Sequence, residues 1–377
     1  MRTDEPRQSG SARAWADVDL GAIEHNVRSI LKLVRPAQVC AVVKADGYGH
    51  GAVQVARAAL AAGASRLAVA TPREAQALRA AGIVAPVQVL GVILSGQEDF
   101  FLSLDAAATV STLDEARRLA AATRRADRRT PVHLKLDSGM HRLGAPRDEA
   151  ERIAEFVATA PELQFEGAMT HLAAAGSSAD YTAAQLGAFR DFAGWLEAHR
   201  LRPALLHAAN SAALALHSDS RFDMVRPGLA IYGIADPPEL GAQLKLRPAM
   251  RLCARVVHVK QLAVGEPVGY NCTWRAQRPT TVATASIGYA DGLRTSLSNR
   301  GQALLRGRRV NVVGRVSMDF TALDVTGLDD VRPGEEVVFF GRQGEAEIPV
   351  TEAAAWMGAI PYEIICGVSF RVWRVPK

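Results

Sequence analysis

The stretch "CAVVKADGYGHG", Cys40 to Gly51, decides how the chain folds. Its first half is a continuous apolar run, the pattern of a parallel strand buried on both faces. Its second half is a glycine-rich turn carrying Lys44, Asp46 and Tyr48. A buried strand that ends in an ammonium group puts a chargeable side chain at the rim of a core. Taken alone, Lys44 reads equally as a surface lysine, and only convergence with other strand ends gives it weight.

The same texture repeats along the chain. Apolar runs stand at "VCAVVKA" (39–45), "RLAVA" (66–70), "PVQVLGV" (86–92), "AAATV" (106–110), "VHLKLDS" (132–138), "FEGAMTHL" (165–172), "LLHAAN" (205–210) and "DMVRPG" (223–228). Alanine-rich helical stretches separate several of them, at 51–63, 71–82, 111–125 and 181–200. Thr71-Pro72 with Glu74 is a helix start, and Gly63 and Gly82 are helix stops. About eight strand–helix units predict an α/β fold, a (β/α)8 TIM-type barrel. The rival doubly wound sheet calls for a GxGxxG turn after its first strand, and none follows here. Beyond Arg247-Pro248 the runs become β-branched and are broken by Gly, Pro and Asp at short intervals, which predicts a mainly β C-terminal domain. The expected organisation is a flexible tail over 1–12, a barrel over 13–247 and a β domain over 248–377. The strand "ARAWADVDL" (12–20) is a candidate to pair with the latter.

With 377 residues, 49% of them hydrophobic, the chain has ample material for a large core. A net charge of +5 is mild, and the densest basic run, Arg124 to Arg129, has no interleaved aromatics. It reads as a solvated helix end, not as a nucleic-acid patch. Four cysteines without a CxxC pair suggest neither a zinc site nor a redox pair and fit a reducing, cytoplasmic setting. No secretory signal or charge-free run of about 18 apolar residues is visible, so no membrane partner is expected.

In a barrel of this kind the chemistry sits at the carboxyl ends of the strands. The predicted strands end in Lys44, with Tyr48 close behind; in Lys135, leading to Arg142; in His171; in His207 and Asn210-Ser211; and in Arg226 and Gly228. Each has an ordinary reading as a structural histidine, a rim lysine or a surface ion pair. Together they crowd chargeable groups at one end of a core, which is costly unless a ligand or mutual pairing compensates. "NSAALALH" (210–217) and "RPGLAIYG" (226–233) offer backbone amides suited to phosphate. A lysine amine beside a phosphate site suggests a Schiff base, and pyridoxal 5'-phosphate supplies both aldehyde and phosphate.

At this point the motifs resemble a known family. "AVVKADGYGHG" is similar to the cofactor-lysine motif of the alanine racemases, pyridoxal-phosphate enzymes with a barrel and a β domain. "WADVDLGAIEHN" (15–26), "LKLDSGMHRLG" (134–144), "MTHLA" (169–173), "HAANSAA" (207–213), "RPGLAIYG", "GYNCTW" (269–274), "IGYADG" (287–292), "GRVSMD" (314–319) and "PYEIIC" (361–366) follow in order. The resemblance implies an isomerase that interconverts L- and D-alanine through an external aldimine, supplying D-alanine for peptidoglycan.

By the same resemblance, Lys44 carries the cofactor and is one base, and Tyr270 is the other, acting across the interface of a homodimer. Tyr48, Ser211, Gly228, Leu229 and Tyr362 hold the phosphate, with Asn210 beside them. Arg226 faces the ring nitrogen, buttressed by His171. Arg142 binds the phenolic oxygen and the substrate carboxylate, which Met318 and Asp319 also approach. Lys135 is carbamylated and orients Arg142, and Tyr289 and Arg315 line the entrance. No metal is implied.

One position departs from the family pattern. An acid commonly follows the strand-six motif, as in "HFAxAD"; here "HLAAAGSSADY" has Gly176, and Asp180 comes several residues later. Substrate size selection is the property this touches. The alternatives are a racemase of broader or serine-shifted specificity, a same-fold amino-acid decarboxylase, which Arg226 and Tyr270 argue against, and a cofactor-binding protein without catalysis, whose relatives are lone barrels.

Overall fold

The structure, a computed structural model, describes residues 12–377. The tail expected over 1–12 therefore lies outside the described residues except for Ala12, which is buried. The chain forms two compact units. One contains residues 22–47 and 52–247; the other contains the described residues up to Gly21, the segment Tyr48–Gly51, and Pro248–Lys377.

The first unit is built on eight parallel strands. After β1 (Ala14–Val18), which belongs to the other unit, come β2 (Gln38–Val42), β3 (Arg66–Val69), β4 (Val87–Val89), β5 (Ala107–Val110), β6 (Thr130–Lys135), β7 (Leu163–Met169), β8 (Leu205–His207) and β9 (Met224–Val225). They lie side by side in chain order, and β9 returns to pair with β2. The Asp223 amide donates to the Leu206 carbonyl at 3.0 Å and the Arg226 amide to that of Ala209 at 2.9 Å, so the sheet closes on itself. The strands are short apolar runs buried almost throughout, as a sheet covered on both faces requires.

The intervening helices begin where the sequence places caps. Thr71 caps the helix Pro72–Ala80 in a reciprocal box with Glu74, and Thr112 accepts from the Glu115 amide at the head of Leu113–Arg125. Gly63 and Gly82, at φ +109° and +77°, end their helices in a conformation that side chains disfavour. The basic run after Leu113–Arg125 is tied to its neighbours: Arg124 pairs with Glu162, Arg125 with Asp99, and Arg128 donates to the Leu102 carbonyl. The helix Leu20–Val34 carries a fully buried Asn26. Its side chain donates to the carbonyls of Ile231 and Arg247 and accepts the Arg247 amide.

The observed strands stop earlier than the apolar runs suggest. The run 39–45 is strand only to Val42, and 86–92 only to Val89. Hydrophobicity continues past the last ladder bond, but Ala45, Asp46 and Gly47 adopt left-handed backbone at φ 52–61°, which no strand accommodates.

The second unit is a nine-stranded, mainly antiparallel sheet. Its remaining strands are β10 (Met250–Leu262), the small hairpin β11 (Pro267–Val268) and β12 (Trp274–Arg275), β13 (Thr280–Ala285), β14 (Gln302–Leu305), β15 (Arg308–Val312), β16 (Thr321–Asp324), β17 (Glu336–Gln343), β18 (Ala346–Ile348) and β19 (Trp373–Pro376). The sheet order is β18-β17-β14-β15-β16-β13-β10-β1-β19. The long β10 is the spine, pairing with β1, β13 and β17 and bending at two register shifts. β1 lies between β10 and the parallel β19, so Trp15 is buried, with the Arg255 guanidinium 4.9 Å from its ring centre. The segment Tyr48–Gly51 packs against the helix Pro361–Gly367 of this unit. A Cβ on Gly49 would stand 2.1 Å from the Ile365 carbonyl oxygen, so only glycine fits.

Candidate active site

Of the groups nominated at the strand ends, Lys44, Lys135, Arg142, His171 and Arg226 stand within electrostatic reach of one another in the barrel unit. Lys44 follows β2 and begins the left-handed turn. That turn is anchored by Glu74, whose carboxylate accepts the amides of Ala45 at 2.7 Å, Ala70 at 2.7 Å and Thr71 at 3.0 Å. One acid thus caps a helix and pins the backbone next to Lys44. The Asp46 carboxylate closes the turn by accepting the Ala52 amide.

Lys135, the last residue of β6, is buried. Burial, then Arg226 and Arg142, and more weakly Lys44, push its ammonium down to about 8 from an ordinary 10.5. The same four cations act on His171, whose imidazolium is held well below its usual range by burial first and Arg226 next. Asp137, the acid that acts on Lys135, is occupied, accepting from the Gly139 and His141 amides and contacting the His141 ring. Lys44, Lys135, Arg142 and Arg226 thus act on one rim with Asp137 already engaged, an array whose positive charge an anion would compensate.

Arg226, one residue past β9, is 4% exposed. Burial lowers it to about 10, so it remains a cation at neutral pH. It donates to Nδ1 of His207 at 2.7 Å, to the carbonyls of Thr170 at 2.7 Å and Ala208 at 3.0 Å, and approaches Nδ1 of His171 at 3.4 Å. His171, expected as its support, makes the longest of these contacts, and His207 makes the shorter one.

Ser211 is buried, its hydroxyl oxygen accepting the amides of Gly228 at 3.0 Å and Ala230 at 3.2 Å. Leu229 heads the 3-10 turn Leu229–Tyr232. Asn210 is committed to structure: it accepts the Ala213 amide and donates to the Leu172 carbonyl. Gly176 has no room for a side chain, since a Cβ there would lie 2.8 Å from Cδ of Pro237. Asp180 sits exposed in the first turn of the helix Ala179–Ala198.

In the β unit, Tyr48 and Tyr362 have ring centres 6.0 Å apart, and burial pushes the Tyr48 phenol up. Tyr270 is 70% exposed on a 3-10 turn in which Gly269, Asn271 and Cys272 all have positive φ. Asn271 and Cys272, at φ 62° and 49°, adopt the left-handed region that side chains disfavour. Tyr289 packs through its amide on the Ser317 carbonyl, and Ala290 through its own on that of Met318. Met318 is half-exposed, Arg315 is exposed, and Asp319 is ion-paired with Arg371.

The expected residues omit several that build the barrel site. In the sequence Glu74 signals only a helix start, His207 only a strand-end histidine, and Arg66, His133 and Glu166 lie inside apolar runs without a signal of their own. His133 stands two residues before Lys135 on one strand, and period-two spacing puts both on the same face; that signal was available.

The fold is a (β/α)8 barrel with a β domain, and its barrel unit gathers cations beside a lysine amine. Comparison with known proteins specifies the class: the chain belongs to the alanine racemase family, matching the model "Alanine racemase, N-terminal domain" over residues 18–236 and "Alanine racemase, C-terminal domain" over 249–376. The alanine racemase of Desulforamulus reducens is 43% identical over 366 residues, covering 96% of this chain and 98% of that one. The crystal structure of the enzyme from the D-cycloserine producer Streptomyces lavendulae superposes with a TM-score of 0.93 at 37% identity, covering 97% of both chains. That from Bartonella henselae, with covalently bound pyridoxal phosphate, gives 0.85 at 29% identity, covering 97% of this chain and all of that one. No helix among the described residues is long and apolar enough to cross a membrane.

Proposed function

We propose that this isomerase interconverts L- and D-alanine using pyridoxal phosphate, with Lys44 and Tyr270 as the two proton carriers. The observation that carries the reading is the cationic rim around a lysine amine, with Asp137 already engaged. The donor set fits the cofactor: an amine for its aldehyde, cations for its negative charge, and the Ser211–Gly228–Leu229 corner for its phosphate. When bound, the cofactor withdraws electrons from the amino acid's α-carbon and acidifies the proton there.

The residues divide the remaining work. Lys44 takes or returns the α-proton on one face and Tyr270 on the other, since a single fixed base favours return to the face it left. Ser211, Gly228 and Leu229, with the hydroxyls of Tyr48 and Tyr362, hold the phosphate, and Asn210 shapes that corner by capping Ala213–Leu216. Arg226 can only donate a hydrogen bond to a ring nitrogen and gives it no proton acceptor, which moderates electron withdrawal and disfavours side reactions. His171 stays neutral beside it. Arg142 orients the substrate carboxylate, and Met318 and Asp319 assist from the β unit. Lys135, as a carbamate, turns a repulsion of Arg142 into an attraction. Tyr289 and Arg315 line the entrance.

Tyr270, Met318, Phe320 and Phe370 of the β unit are 48–77% exposed, which supports a homodimer in which Tyr270 serves the partner's site. Four cysteines in 377 residues, with no CxxC pair, fit a reducing cytoplasm, and D-alanine is a building block for peptidoglycan. The test is a chiral assay with L-alanine in D2O, where racemisation with α-deuterium incorporation is expected. Tyr270→Phe should retain cofactor and lose about 10²–10⁴ in rate. Near-normal racemisation by that variant would remove Tyr270 from the mechanism, and absence of D-alanine from the wild type would reject the function.

A further inference from the structure

Arg226 is a buried cation with no carboxylate at hydrogen-bonding distance among the described residues. Its countercharge stands at the far end of a line of side chains through the barrel interior. Nη1 of Arg226 lies 2.7 Å from Nδ1 of His207, Nε2 of His207 lies 2.8 Å from Nδ1 of His133, and Nε2 of His133 lies 2.8 Å from the Glu166 carboxylate. Arg66, the first residue of β3, closes the line with two 2.9 Å bonds to Glu166.

Only one arrangement of protons satisfies this line. A guanidinium donates and never accepts, so Nδ1 of His207 must be bare. A neutral imidazole then carries its hydrogen on Nε2 and donates it to Nδ1 of His133. His133 in turn carries its hydrogen on Nε2 and donates to the carboxylate, which only accepts. The 3.3 Å approach of Arg66 to that nitrogen is then a donor–donor contact, and Arg66 spends its hydrogens on Glu166. Both imidazoles are kept neutral, by burial first. Burial pushes the Glu166 carboxyl up, but the bonds from His133 and Arg66 outweigh it and hold it ionised.

Two backbone features are built around this line. The β6–β7 register slips between Val132, which pairs with Phe165, and His133, which pairs with Gly167, leaving Glu166 as the extra residue of a bulge. A bulge re-aims a side chain, here into the barrel. The next residue, Gly167, makes room for the ring: a Cβ there would lie 2.2 Å from Nδ1 of His133.

We propose that Glu166 is a positioning residue for the reaction: through His133 and His207, whose tautomers it fixes, it holds Arg226 charged and in one orientation toward the cofactor. The cofactor end of this inference rests on the proposed function, whereas the tautomer relay does not. The relay is tested by long-range ¹H–¹⁵N NMR of the full chain labelled in histidine, with and without pyridoxal phosphate. His133 and His207 should both appear as neutral Nε2–H tautomers at neutral pH. An Nδ1–H tautomer or an imidazolium at either would overturn the relay.

The kinetic arm uses Glu166→Gln, expected to lower kcat about 10-fold with KM for alanine within about two-fold, to shift the pH profile, and to be partly rescued by Glu166→Asp. A Glu166→Gln enzyme with unchanged kcat and pH profile would overturn the positioning role. Gly167→Ala, which leaves Glu166 in place, should disturb both histidine tautomers, and unaltered tautomers would count against the relay. Failure of the wild type to bind cofactor or racemise alanine falls on the proposed function, because the tautomers are read independently of it.

Discussion

Lys135 offers a direct test of how the site balances its charge. Burial and its cationic neighbours bring the ammonium from 10.5 down to about 8. At about pH 7.5 the neutral amine then amounts to roughly a quarter of the population, against about 0.1% for an ordinary lysine, a gain of more than 100-fold in the form that attacks CO2. On the proposed carbamylation the neutral amine would add to CO2, lose a proton and become a carbamate, exchanging a cation for an anion within electrostatic reach of Arg142 and Arg226. Incubation with ¹³C-bicarbonate should give one protein-bound carbamate carbonyl in the ¹³C spectrum, absent from Lys135→Ala. That variant should bind alanine more weakly, because Arg142 would lose the anchor proposed for it, and should recover in part with added acetate.

The sign of the pH effect follows from the same shift. Carbamylation needs the neutral amine, so it declines as pH falls below about 8. In CO2-free buffer the lysine binds its proton more weakly in the folded chain than in the unfolded one. Stability should therefore rise by about 3 kcal/mol between about pH 8 and 10.5, and carbamylation should flatten that rise. A wild type with no Lys135-dependent carbonyl signal, and with alanine binding equal to that of Lys135→Ala, would refute the reasoning.

Two further outcomes are expected. Asn26→Ala removes three hydrogen bonds from a fully buried site and should destabilise the barrel unit by roughly 3 kcal/mol, read from the urea midpoint; a change below about 0.5 kcal/mol would show that water replaces the amide. Gly176→Asp restores the acid of the family pattern but drives a Cβ against Pro237. It should cost about 1–3 kcal/mol without restoring an entrance acid in register, so the turnover ratios for L-alanine, L-serine and L-lysine should match the wild type. A marked narrowing toward alanine in that variant would show that Pro237 yields.

Much of the fold is legible because burial on both faces leaves a strong trace. Eight apolar runs separated by capped helices lead to eight parallel strands, and the β-branched texture after Pro248 to an antiparallel sheet. Strand ends are less legible, since the apolar run continues through Val43 and Ala45 while the backbone turns left-handed from Ala45. Lys44, Lys135, His171 and Arg226 could be nominated because charge at the end of an apolar run is conspicuous, and the structure brings them within electrostatic reach of one another. Glu74 was hidden behind its role as a helix cap.

The sequence by itself determined roughly where the strands and several of the helices lie, and which chargeable groups stand near strand ends, because these follow from local periodicity and composition. Only the tertiary structure decided which of those groups face one another. The line from Arg66 through Glu166, His133 and His207 to Arg226 draws on five strands or strand ends, and it depends on a one-residue slip in register and on the missing side chain of Gly167. Those are properties of how strands are laid together. Hydrogen bonds between residues up to 100 positions apart leave no periodic mark in the chain that makes them.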